Sequence, residues 1–125
     1  MKSSTAEEAV RGADIVCTVT NASEPVLKGE WLKAGAFVAA IGAPRPTWRE
    51  LDDAAMRNII VADSREAAEQ ESGDVILSGA GVYAEIGEIL AATKPRPAPG
   101  TTVVFKALGQ AVVDAVAARL VFEAQ

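Results

Sequence analysis

Apolar, largely β-branched runs recur along the chain, and helix-start signals lie between them. The runs are IVCTVT (15–20), AFVAAI (36–41), IIVA (59–62) and TTVVF (101–105). They are apolar at successive positions instead of alternating with polar residues. A strand of that kind has to be covered on both faces, which points to a parallel sheet between helical layers. The expected class is therefore α/β, with about four parallel strands, helices on both faces and a long C-terminal helix.

The intervening segments carry recognisable punctuation. Ser4 with Glu7, and Thr5 with Glu8, have capping-box spacing, and Gly12 suits the end of a short first helix. Asn21–Pro25 reads as a polar turn, and a helical turn over Gly29–Lys33 closes at Gly35. Thr47 and Glu50 predict a helix from Trp48 to about Arg57, with Asn58 as a left-handed stop. Asp63 and Glu66 are expected to cap another helix, ending near Ser72. Asp74–Gly79 fits either a strand or a helix, and Tyr83–Ala92 is expected to be helical. Lys94–Gly100 is a Pro-rich connector. In the tail, Leu108, Val112, Ala115, Val116 and Leu120 repeat at helical spacing.

A doubly wound dinucleotide-binding domain has two βαβαβ halves, with the pyrophosphate on a Gly-rich turn in the first. This chain opens on a helix signal, so it reads as an incomplete Rossmann-type sheet whose first half is missing. Gly79, Gly81 and Ala84 do match G-x-G-x-x-A on paper. The next strand, however, ends in Lys106 where that fingerprint requires an acid for the ribose. A small-residue turn between two helices is the reading preferred for that stretch.

Composition narrows the function classes. The net charge is −5 and the basic residues are scattered, unlike the basic face of a nucleic-acid binder. No apolar run approaches the roughly 20 residues of a membrane span. The acidic opening does not look like a signal peptide. The chain has no His and a single Cys17, so zinc sites, His-based triads and an internal disulfide are not expected. A cytoplasmic location is expected.

Three stretches taken together resemble the ornithine cyclodeaminase and mu-crystallin family, most closely its ketimine reductase branch. They are ADIVCTVTNASEPVLKGEWLKAGAFVAAIGAPRPTWRELD, VADSREAAEQESGDVILSGA and TVVFKALGQAVVDAVAARLVF. The resemblance implies a two-domain NAD(P)-dependent protein, a homodimer of a little over twice this length, acting on amino-acid or cyclic imine substrates. Residues 1–105 would be the second half of its Rossmann domain. Residues 106–125 would return towards a substrate and dimerisation domain that is mostly missing.

The same resemblance implies roles residue by residue. Thr18, Thr20 and Asn21 end the first strand, where sheet physics also places ligands. Ile41, Gly42 and Ala43 end the second and would lie near the nicotinamide; Gly42 would let backbone approach a flat ring. Lys106, Leu108 and Gly109 belong to FKALG, which resembles the family's FKSLG with Ala107 in place of Ser. Arg45 is either a partner for a substrate carboxylate or an ordinary loop Arg. Pro44 replaces the Asp of ornithine cyclodeaminases and offers no proton, which argues against ornithine chemistry. Glu50 and Asp63 are read as capping residues, and Trp31 and Trp48 as packing residues. No catalytic residue and no metal ligand is assigned. Two readings stay open. One is part of the NAD or NADP site of an imine or amino-acid oxidoreductase, with weak or no cofactor binding alone. The other is a non-catalytic split module that self-associates.

Overall fold

The computed structural model describes residues 5–124. A short helix α1 (Ala6–Val10) begins at Thr5, whose hydroxyl accepts from the Glu8 amide, and the chain leaves it through Gly12 at φ +79°. The Ser4 half of that expectation lies outside the described residues. Then follow β1 (Ile15–Thr18), a 3-10 turn (Gly29–Trp31), β2 (Phe37–Ala40), α2 (Asp53–Met56) and β3 (Ile59–Ala62). Next come α3 (Arg65–Glu71), α4 (Gly73–Ser78), β4 (Val82–Glu85), α5 (Ile86–Leu90), β5 (Val103–Lys106) and α6 (Ala111–Glu123). Among the described residues, no helix is long and apolar enough to cross a membrane.

The strands form a parallel sheet in the order β1-β2-β5-β3-β4. The last strand in sequence is thus the central one, inserted between β2 and β3. That insertion decides which loops meet, because β1, β2 and β5 become neighbours and their carboxyl ends lie side by side. The sheet has five strands instead of about four. Tyr83–Glu85, the start of the expected Tyr83–Ala92 helix, belong instead to β4. As an edge strand it alternates buried Val82 and Ala84 with half-buried Tyr83 and Glu85, a one-sided pattern unlike the others.

The two faces are covered unequally. On one, Val16, Val38, Ala40, Ile60, Ala62 and Val104 pack against Val10, Ala55, Met56, Ala68 and Val75, which closes the core. On the other, Ile86 and Ile89 of α5 and the Pro-rich segment border a groove of about 640 Å³ over Phe37, Val61, Val103 and Phe105. Helix α6 packs on neither: Val112, Val113, Val116, Leu120, Val121 and Phe122 are all exposed.

The expected helix over residues 48–57 shrinks to α2, capped by Asp52 through the Ala55 amide. The residues before it are held extended. Leu51 bridges to Leu27, and the Glu50 and Leu51 amides both donate to Asp74 Oδ1, at 2.8 and 3.0 Å. Asn58 is not a left-handed stop: its amide donates to the Ala55 carbonyl, and among the described residues Ala43 and Ala92 are the non-glycine ones with positive φ. Ser64, not Asp63, caps α3. The ambiguous Asp74–Gly79 stretch is helical, with Gly79 as its left-handed stop at φ +67°.

Candidate cofactor edge

The candidate residues converge at the carboxyl ends of β1, β2 and β5. Thr18 closes β1, and the chain turns out through exposed Thr20 and Asn21. Beside it β2 runs out through exposed Ile41 to buried Gly42 and Ala43, then to exposed Pro44 and Arg45. The ladder extends past both strands, because Ile41 N–H donates to Thr18 O at 2.9 Å and Ala43 N–H donates to Thr20 O at 2.9 Å. Ala43 holds φ +49° while fully buried, a left-handed conformation that side chains rarely adopt and that concentrates at functional edges. From β5, half-buried Leu108 and exposed Gly109 complete the rim.

Two carboxylates hold this rim, and both have the sequence spacing of helix caps. Glu50 is fully buried beneath it. Its Oε2 accepts the Thr18 hydroxyl at 2.8 Å and the Gly42 amide at 2.9 Å, and its Oε1 accepts the Thr20 amide. Asp63 follows β3 and reaches across to β5: its Oδ2 accepts the Leu108 and Gly109 amides, each at 2.9 Å. Both groups act as pure acceptors for backbone N–H groups beyond the strand ends, and the Gly42 N–H also reaches Thr18 O at 3.3 Å.

Lys106 has a different role from the rim residue expected. It is fully buried, and its ammonium donates to Gly42 O at 2.6 Å and to Asp74 Oδ2 at 3.1 Å. The charge is thus spent inside the fold, tying the core strand β5 to β2 and α4. Gly42 also has a second reason for being glycine. A Cβ there would overlap the Thr20 backbone and the Glu50 carboxylate, so close internal packing already requires it.

Arg45 stacks its guanidinium over the Trp48 ring at 4.4 Å from the centroid, within cation–π range. Trp48 therefore does more than pack. The loop is anchored at its base by Gly73, whose amide donates to Arg45 O at 3.1 Å; a Cβ on Gly73 would overlap the carbonyls of Arg45 and Trp48.

The Gly79–Ala84 stretch lies elsewhere. It joins helix α4 to edge strand β4 at the amino end of the sheet, beside Asp53, Met56, Arg57 and Asn58. It follows a helix instead of a strand, so it lacks the strand–turn–helix geometry of a phosphate loop. It is a turn between a helix and a strand, not between two helices. The carboxyl rim presents exposed Ile41 and Thr20, and an Asn21 side chain with no protein partner among the described residues.

Comparison with known proteins identifies the family and the fold. The family model for ornithine cyclodeaminase/mu-crystallin matches residues 1–125. The chain belongs to that family. Over 121 residues it is 58% identical to the ketimine reductase mu-crystallin of Macropus fuliginosus, covering 96% of this chain and 38% of the relative. The structure of Thermococcus litoralis Δ1-pyrroline-2-carboxylate reductase in complex with NADH and L-proline superposes with a TM-score of 0.84 at 35% identity, covering 95% of this chain and 40% of that one. An archaeal alanine dehydrogenase dimer with bound NAD superposes with a TM-score of 0.82 at 34% identity, covering 94% and 39%. The chain thus spans about two fifths of the length of these relatives.

Proposed function

We propose that the chain supplies the nicotinamide-side half of an NAD(P) site in an imine or amino-acid oxidoreductase of this family. The observation that carries this reading is the convergence of Thr20, Asn21, Ile41, Gly42 and Gly109 on one carboxyl edge, where parallel sheets bind nucleotides. The bound dinucleotide supplies the hydride. The chain's residues do the holding: Ile41 offers an apolar shelf, Thr20 and Asn21 offer polar side chains, and Arg45 on Trp48 offers a planar fork for a substrate carboxylate. Residues 106–125 lead towards a substrate and dimerisation domain. Pro44 can neither give nor take a proton, so cyclic imine reduction fits this edge and ornithine cyclisation does not. A positioned acid or base contributes about 10²–10⁴-fold, so its absence is disabling for the second reaction.

Binding by the chain alone is expected to be weaker than about 10 μM, because among the described residues no Gly-rich strand–turn–helix that would anchor a pyrophosphate lies at the rim. The test of function is a chimera. Residues 5–124 replace the matching segment of the kangaroo ketimine reductase, and NAD(P)H oxidation is followed with a cyclic ketimine carboxylate and proline formation with ornithine. Ketimine reduction without proline formation is expected. Silence on both substrates from a folded chimera refutes the reading.

The exposed apolar surface of α6 favours a second reading, that of a non-catalytic module that self-associates. Sedimentation as a clean monomer at tens of micromolar (order of magnitude,) would remove it.

A further inference from the structure

We propose that Glu50 is a positioning residue for the nicotinamide side of the dinucleotide site, a buried clamp that fixes the ends of β1 and β2 relative to each other. The proposal rests on the cofactor reading above and adds to it which groups face the ligand and which cannot.

Beyond Thr18 and Ala40 the regular ladder ends, yet Gly42 and Ala43 stay buried and Thr20 stays packed against them. At this exit the Gly42 N–H reaches the Thr18 carbonyl only at 3.3 Å. Glu50 accepts from it at 2.9 Å, accepts the Thr20 N–H and takes the Thr18 hydroxyl as well. Its own amide is fixed by Asp74, whose other oxygen meets Lys106, and Lys106 returns to Gly42 O. The loop of contacts closes on Gly42 from both sides.

Two consequences follow for recognition. Both backbone polar groups of Gly42 are engaged internally, and so are both of Thr20, whose carbonyl accepts from the Ala43 amide. These residues form a fixed wall and not a set of hydrogen-bonding ligands. At the end of β1, polar recognition falls to the Asn21 side chain and to the Thr20 hydroxyl, which accepts the Ala22 amide at 3.2 Å and keeps its own proton to donate. Glu50 itself is no acid or base for substrate: it is fully buried and its oxygens already accept three donors. The site needs a carboxylate there because all three partners donate; an amide would turn an NH2 group against one of them.

The test compares Glu50→Gln with Val38→Ala, a truncation in the middle of buried β2 away from the rim. Backbone amide NMR spectra of the full 125-residue chain are recorded during titration with NADH to millimolar concentration. Saturable shifts are expected at Thr20, Asn21 and Gly42 in the parent and in Val38→Ala. In Glu50→Gln the affinity is expected to fall roughly tenfold, because the ends of β1 and β2 are no longer held ready for the ligand. The Thr20 and Gly42 amides should then also lose their exchange protection selectively. Parent-like affinity in Glu50→Gln overturns the proposal, as does an equal loss in Val38→Ala. If Glu50→Gln fails to fold, Thr18→Val removes one of the three donors, and unchanged affinity in that variant overturns the proposal too. A parent chain that shows no shifts at the rim refutes the cofactor reading itself, whereas equal affinities in the parent and all variants refute Glu50 alone.

Discussion

The carboxyl edge of the sheet and helix α6 make an instructive pair. At the edge, Glu50, Asp74 and Lys106 are fully buried, and the chain supplies partners for all three. Along α6, six large apolar side chains between Val112 and Phe122 are more than half exposed, and the described chain offers nothing to cover them. Burying charge without partners costs several kcal/mol, so the edge has to be complete within this chain if the chain folds at all. Exposed apolar surface carries a smaller penalty and can wait for a neighbour. The difference separates what this chain determines by itself from what it leaves to another surface.

The strongest way to break the comparison is Asp74→Ala. It strands the Lys106 ammonium with Gly42 O and leaves the Glu50 and Leu51 amides without an acceptor. Removing one partner of a buried pair typically destabilises by about 3–5 kcal/mol. Urea unfolding should show a loss of that size, or no folded protein. Gly73→Ala comes next, because the new Cβ overlaps two carbonyls of the Arg45–Trp48 loop. Overpacking of this kind costs about 1–3 kcal/mol. The Trp48 fluorescence should change with it as the Arg45 stack shifts.

Changes in α6 should hardly register on stability. Val116→Asp is expected to alter the unfolding free energy by less than about 0.5 kcal/mol, the usual range for an exposed site. It should nonetheless shift sedimentation towards monomer. A smaller effect still concerns acid. The Glu85 amide, and then Arg65, hold the Glu88 carboxyl below the ordinary glutamate range. A depressed folded value means the stabilisation is present above that range and is lost as pH falls through it. Glu88→Gln should therefore lower the neutral plateau of the stability curve slightly and flatten its acid limb.

The parts of the fold legible in the sequence were those encoded by local runs. β1, β2, β3 and β5 announce themselves because their residues are apolar at nearly every position. β4 does not, because an edge strand buries only Val82 and Ala84 and flows directly into α5. The rim residues were legible through strand ends and through resemblance. What holds them was not. Glu50 has capping-box spacing from Thr47, yet its side chain turns inward to partners 8 to 32 positions away. Asp63 looks like a cap but bonds 45 and 46 positions ahead. Lys106 and Asp74 lie 32 positions apart, and nothing local marks either as buried. Such pairings arise from strand order, with β5 inserted beside β2, and sequence spacing carries no trace of it.

Residue-resolved hydrogen exchange on the intact chain, at the lowest usable concentration, tests most directly whether the edge is built by the chain alone. If it is, the Thr20, Gly42 and Leu108 amides exchange as slowly as the neighbouring strands while those of α6 exchange first. Rapid exchange at Thr20 and Gly42, with α6 as slow as Val38 and Val104, would contradict it.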